Sequence, residues 1–185
     1  HFPCKLLIAT SNWLKMNHSA TANEIIEVTQ EELSRASLQK TPQEVLAVFV
    51  QPSYDLNPEV IKSSLCLALD DVQDPGNLGT IIRLADWFGI EHIFCSTGTA
   101  DVYNPKTVQA TMGALARVKV HYCSLPQLIE SLTDIPVYGT FLNGNIIYTE
   151  SLSAHGLIVM GNEGKGVSLE AVSYTHLTLP TSDLV

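Results

Sequence analysis

The run Leu65-Cys-Leu-Ala-Leu-Asp-Asp-Val-Gln-Asp-Pro-Gly-Asn-Leu-Gly-Thr-Ile-Ile-Arg83 decides the fold class. Its first five residues are all apolar, as in a strand buried on both faces. Residues 70–78 are turn chemistry: Pro75 fixes φ, Gly76 permits positive φ, and Asn77 suits a helix cap. From Gly79 to Phe88 the spacing is helical, with Ile82, Ala85 and Trp87 or Phe88 facing a core. The same alternation continues downstream. His92–Cys95 reads as a strand. Asn104-Pro105 opens a helix to about Arg117, with proline in a first turn where its missing N–H costs nothing. Val118–Tyr122 is a strand, Pro126–Leu132 a helix, Pro136–Thr140 and Leu157–Met160 strands, and Val167–Val172 a further helix. Strand–helix alternation of this kind predicts an α/β fold, a parallel sheet flanked by helices.

Upstream, residues 1–50 read as an α/β fragment. Leu6–Ala9 is a strand, Thr29 to about Leu38 a short helix, and Val45–Val50 a second strand. Thr29 and Glu32 form a T-x-x-E capping box. Residues 51–64 carry two prolines and many polar residues and read as a linker. The chain has 185 residues, 45% hydrophobic and 16% charged, enough apolar surface for a real core. Its net charge of −9 excludes a generic basic nucleic-acid coat. No apolar run reaches the roughly 18 residues that span a bilayer, and no basic-then-apolar signal opens the sequence. Cys4, Cys66, Cys95 and Cys123 lie far apart without a C-x-x-C pair. This argues against zinc and disulfides and fits a reducing cytosol. The last stretch, residues 173–185, changes character abruptly. It reads either as a non-native tail or as an ordinary β-like C-terminus.

Two loops could carry chemistry. The first is Asp71–Arg83, between a buried strand and a helix, where parallel α/β sheets bind ligands. Arg83 lies four residues after Gly79, and a guanidinium near free helix amides suits a phosphate or ribose-phosphate. A capped helix with Arg83 paired to a surface carboxylate is the alternative. The acids Asp70, Asp71 and Asp74 lack calcium-loop spacing, and no metal site is expected. The second loop is Gly161-Asn-Glu-Gly-Lys-Gly166, directly after a strand. Its glycines let backbone amides approach a ligand. The spacing is neither a P-loop nor G-x-G-x-x-G. A tight strand-to-helix turn is the alternative. A weaker third stretch, Val137–Leu142, is a strand with a glycine bend. The six histidines show no ligand spacing. His92 and His121 sit in apolar strands and read as structural, and Cys66, Cys95 and Cys123 read as small core residues.

Taken together, Asp74-Pro-x-Asn77-x-Gly79-x-x-x-Arg83 and the later Gly161-Asn-Glu163-Gly164-x-Gly166 resemble two motifs of the SpoU (TrmH-type) RNA 2′-O-ribose methyltransferases, of the SPOUT class. The resemblance covers about residues 65–172. Residues 1–50 are similar to the end of the small RNA-binding domain that often precedes the catalytic one. The resemblance implies S-adenosylmethionine as methyl donor and a ribose hydroxyl of rRNA or tRNA as acceptor. It implies that Arg83 engages the target phosphate and ribose, that Asn77 holds the site loop, and that Glu163 orders it. A guanidinium is a poor general base, so the role of Arg83 is orientation or is shared with phosphate. The donor falls to the backbone around Gly139, Thr140, Leu142, Gly161, Asn162, Gly164 and Gly166. The acidic balance confines RNA contacts to a local patch of Arg83, Lys106, Arg117 and Lys119.

The family's third motif, an Ile-Pro-Met-like strand and a Ser-Leu-Asn loop before a final helix, threads a trefoil knot and builds a homodimer interface. Here Ser168–Val172 runs directly into residues 173–185. The expectation is therefore a methyltransferase fragment, cut at both ends, without its knot-forming segment and with weak or no donor binding. Two other readings compete with it: a non-catalytic RNA-binding relative, and a nucleotide-dependent α/β enzyme.

Overall fold

The computed structural model describes residues 2–141, 152–162, 164, 166–167 and 177–180. The chain divides into two compact units, residues 1–53 and 54–185.

The first unit is a three-stranded sheet with two short helices. Its strands are β1 (Cys4–Thr10), β2 (Glu24–Val28) and β3 (Val45–Phe49), in the order β2-β1-β3. β1 runs parallel to β2 and antiparallel to β3. Helix α1 (Ser11–Met16) is capped by the Thr10 side chain. Helix α2 (Gln30–Ala36) carries the expected capping box: Glu32 Oε2 accepts the Thr29 N–H at 2.8 Å, and Thr29 Oγ1 accepts the Glu32 N–H at 3.3 Å. α1 and β2 had no sequence signal. α1 is under two turns long, and β2 leaves both its isoleucines substantially exposed.

The second unit is a parallel sheet of six strands. In chain order they are β4 (Leu65–Leu69), β5 (His92–Cys95), β6 (Lys119–Tyr122), β7 (Val137–Phe141), β8 (Gly156–Met160) and β9 (Leu177–Pro180). In space the order is β6-β5-β4-β8-β7-β9, every pair parallel. β9 falls within the stretch that changes character in the sequence, and pairs with β7 from Tyr138 to Phe141. The period-two alternation of β4 builds a core on each face. Cys66 and Ala68 point into one cluster with Phe94, Leu157 and Val159, covered by α5 (Leu125–Glu130). Leu67 and Leu69 point into the other with Leu78, Ile82 and Ala85 of α3 (Pro75–Trp87). Cys66 and Cys95 are fully buried, as a small core residue is.

Three local expectations are corrected. The proline-rich 51–64 stretch contains a 3-10 turn, Pro58–Lys62, whose Ile61 is fully buried in the core. Trp87 and Phe88 do not face the core; they are 83% and 73% exposed at the end of α3. The helix expected from Asn104 to Arg117 stops early: α4 covers only Pro105–Ala110. Met112 (φ 51°) and Gly113 (φ 87°) are left-handed, which ends a right-handed helix, and a short 3-10 turn follows at Ala114–Ala116. Of the helix expected at Val167–Val172, residues 168–172 lie outside the described residues. Among the described residues no helix is long and apolar enough to cross a membrane.

Candidate functional site

Strand order creates a crevice. After β4 the chain turns toward β5 and β6; it later returns through β7 and β8, and β8 inserts beside β4. In parallel sheets, ligands bind beyond the strand C-termini at such a reversal. The two candidate loops leave from these two neighbouring strands. The ladder continues into them, with the Asp70 N–H donating to the Met160 carbonyl at 2.8 Å.

The first loop ends in a helix cap, at Asp74 rather than at Asn77. Asp74 Oδ1 accepts the Asn77 N–H at 2.9 Å, and Pro75 occupies the first turn. Lys106 of α4 reaches across, with Nζ 2.8 Å from Asp74 Oδ2. This bond and the Asn77 amide hold the exposed Asp74 carboxyl below the usual carboxylate range. The early cap lengthens α3 by a turn, so Arg83 is its ninth residue, about 12 Å along the axis from the first at 1.5 Å per residue. Arg83 is therefore not beside the free amides of a helix start. Gly79 also acts otherwise than as a ligand approach. A Cβ there would stand 2.5 Å from Ala110 Cβ and 2.6 Å from the Thr107 carbonyl, so the glycine lets α3 and α4 pack closely.

The second loop is a tight turn closed on itself. Asn162 and Gly166 exchange two backbone hydrogen bonds, at 3.0 and 2.8 Å. Asn162 Oδ1 accepts the Gly164 N–H at 2.8 Å, and Asn162 Nδ2 donates to the Asp71 carbonyl at 2.8 Å. Gly161 faces the Gly166–Val167 backbone so closely that any side chain would overlap it. Gly166 has φ 69°.

A cleft of about 370 Å³ lies between the loops, lined by Val72, Gln73, Asp74, Asn77, Ile81, Met160, Gly161, Asn162 and Gly164. Asn77, Gly161, Asn162 and Gly164 thus come together as anticipated. Gly139 and Thr140 sit in β7, next to β8; the Thr140 hydroxyl donates to the Val159 carbonyl at 3.1 Å. Gly166 closes the turn and does not line the cleft. Leu142 and Glu163 lie outside the described residues. Val72, Ile81 and Met160 were missed, because an apolar cleft wall has the same sequence signature as a core; Gln73, a polar loop residue, carried no signal.

The basic residues do not form one patch. Arg83 is two residues from Ile81, hence about 200° around α3 at 3.6 residues per turn. It is exposed and does not line the cleft. Lys106 is held by Asp74 at the start of α3. Arg117 makes a two-pronged pair with Asp86 at the end of α3, Nε–Oδ1 2.7 Å and Nη2–Oδ2 2.6 Å. Lys119 opens β6, at the N-terminal edge of the sheet, away from the loops. The two histidines answer each other: His92 Nδ1 and His121 Nε2 are 3.1 Å apart, with Phe94 stacked on His121. Among the described residues no three His, Cys, Asp or Glu are grouped to hold a metal.

The family model for the SpoU rRNA Methylase family matches residues 64–183, past residue 172, where the sequence reading ends the domain. The 23S rRNA (guanosine(2553)-2′-O)-methyltransferase RlmP of Bacillus subtilis is 34% identical over 155 residues, 82% of this chain and 61% of that protein. The chain thus spans under two thirds of that relative. A solved structure from Porphyromonas gingivalis, described as an RNA methyltransferase of the TrmH family, superposes with TM-score 0.84 at 38% identity. The match covers all of this chain and 76% of that one. The SpoU methyltransferase AviRb of Streptomyces viridochromogenes, solved with AdoMet, superposes with TM-score 0.82 at 25% identity over 97% of this chain and 74% of that one.

Proposed function

The chain belongs to the SpoU rRNA methylase family, and from that premise we propose that it is the methyl-transferring part of an RNA 2′-O-ribose methyltransferase. S-adenosylmethionine is the donor and a ribose hydroxyl of rRNA or tRNA the acceptor. The observation that carries this reading is the cleft between the β4 and β8 loops, which brings Asp74 and Asn77 of the first motif together with Gly161, Asn162 and Gly164 of the second.

The cleft suits the donor chemically. Val72, Ile81 and Met160 offer an apolar wall for a flat heterocycle, and the Gly161–Gly164 backbone offers polar groups to an adenosine or amino-acid moiety. When bound, the donor supplies a methyl carbon activated by its sulfonium. That carbon would pass to the ribose 2′-oxygen as its bond to sulfur breaks, leaving the neutral thioether, with the hydroxyl proton taken up by water. Such a step needs two substrates held in line more than strong acid–base power. Asn77 supports the cleft from the first turn of α3, and Gly139 and Thr140 of β7 stand beside β8. Arg83, off the cleft and exposed, orients the RNA phosphate and ribose. For the full-length parent protein, a trefoil knot and a homodimer belong to the same proposal. The stripe Leu84, Trp87 and Phe88 beside Arg83 is 49–83% exposed, which supports a second copy packing there; sedimentation equilibrium checks it.

The test is thermal unfolding with added ligand, followed by transfer of labelled methyl to rRNA and tRNA. S-adenosylmethionine should raise the midpoint and ATP should not; protection by ATP alone overturns the reading. Arg83→Ala should abolish transfer and leave donor protection intact. Loss of donor protection in that variant would place Arg83 in the cleft.

A further inference from the structure

Asp71 is the residue on which three loops meet. It follows β4 directly, with its backbone left-handed at φ 61°, a conformation that costs a non-glycine residue energy. Neighbours on both sides hold it there. Its N–H donates to the Ser96 hydroxyl at 2.9 Å, from the loop after β5. Its carboxyl lies directly over Gly98, where any side chain would overlap it. Its carbonyl accepts the Asn162 side-chain amide at 2.8 Å, from the loop after β8. The other end of that amide accepts the Gly164 N–H, so one side chain both shapes the glycine turn and ties it to Asp71.

We propose that Asp71 and Asn162 form a latch that sets the width of the cleft: the strained Asp71 peptide aims its carbonyl at the glycine loop, and the Asn162 amide fastens that loop to it. Asn162 is then a positioning residue. The proposal rests on the donor reading of the cleft only for its affinity readout.

Asn162→Asp keeps the oxygen that accepts from Gly164 and removes the N–H aimed at Asp71. Asp71→Gly keeps the carbonyl and tolerates positive φ; Asp71→Val, β-branched, does not. Titration with S-adenosylmethionine should show a loss of about tenfold or more for Asn162→Asp, as one hydrogen bond and one new carbonyl–carboxylate repulsion imply. Asp71→Gly should bind within about twofold of the unaltered protein. Asp71→Val should share the loss, and the double variant Asp71→Val with Asn162→Asp should be no worse than the poorer single one. Additive losses, or an Asn162→Asp protein with unaltered affinity, overturn the latch. Amide hydrogen exchange without ligand tests it independently of the donor and of the valine variant. In Asn162→Asp the Asp71 amide, bonded on the far side to Ser96, should exchange at least about tenfold faster, since the residue loses one of its restraints. Unchanged exchange at Asp71 refutes the latch. If the unaltered protein does not bind S-adenosylmethionine, as expected of a fragment without its knot-forming segment, the exchange result alone decides the latch.

Discussion

Alanine at position 79 sets two effects of opposite sign against each other. In an open helix interior, replacing glycine by alanine stabilises by about 0.8–1.0 kcal/mol. Gly79 is not in the open. The added Cβ would stand 2.5 Å from Ala110 Cβ and 2.6 Å from the Thr107 carbonyl oxygen, where carbons prefer about 3.5–4.0 Å. Neither neighbour is the loose end of a long side chain. Thr107 is fully buried, and its hydroxyl donates to the Asp101 carbonyl at 3.1 Å, so α4 yields only by moving as a body. Overpacking of this kind costs about 1–3 kcal/mol; with two rigid neighbours the upper half applies. The net expectation is a loss of about 1–2 kcal/mol, or roughly 3–6 °C in midpoint for a domain of this size. Far-UV circular dichroism on heating measures it. Adding Ala110→Gly should recover part of the loss, since one overlap goes and the Thr107 oxygen remains. A midpoint raised by Gly79→Ala would refute the close packing of α3 on α4.

The histidine pair should make stability pH-dependent. Burial first, then Lys119 and the neighbouring ring, hold His121 below the ordinary histidine range; burial and Lys119 lower His92, against a weaker opposing pull from Glu91. The folded state therefore binds fewer protons than the unfolded one. The contribution is fully present above the unfolded value of 6.5 and is lost as pH falls from there through the lower folded values. His121→Phe should flatten the change in midpoint between about pH 7.5 and 5.5; an unchanged slope would show that the pair is not its source. In the core, Ile61→Ala should cost about 2–5 kcal/mol in urea unfolding. A cost under about 1 kcal/mol would mean that the Pro58–Lys62 turn is only a linker, as its composition suggests.

Local signals were legible where one short segment settles the matter. The Thr29–Glu32 box needs only residues three apart, and it is present atom for atom. The apolar run of β4 reads as a doubly covered strand because covering only one face would leave two or three of its five apolar side chains in solvent. Asp74 shows the limit of such reading. Asp74 and Asn77 are both good caps, and only the hydrogen bond to the Asn77 amide decides between them. That choice lengthens α3 by a turn and puts Arg83 at its ninth residue, away from the helix start.

By itself the sequence determined the α/β class, the strands of the parallel sheet through β8, and the two loops that line the cleft. Each follows from alternation and turn residues within about a dozen positions. Only the tertiary structure decided that β8 inserts beside β4. That pairing sets Asn162 against Asp71 across 91 positions of chain, while the packing of residues 105–117 on α3 commits Lys106 and Arg117 to carboxylates at opposite ends of that helix. Strand order depends on how both faces of the sheet are covered at once, and no local window of sequence contains that balance.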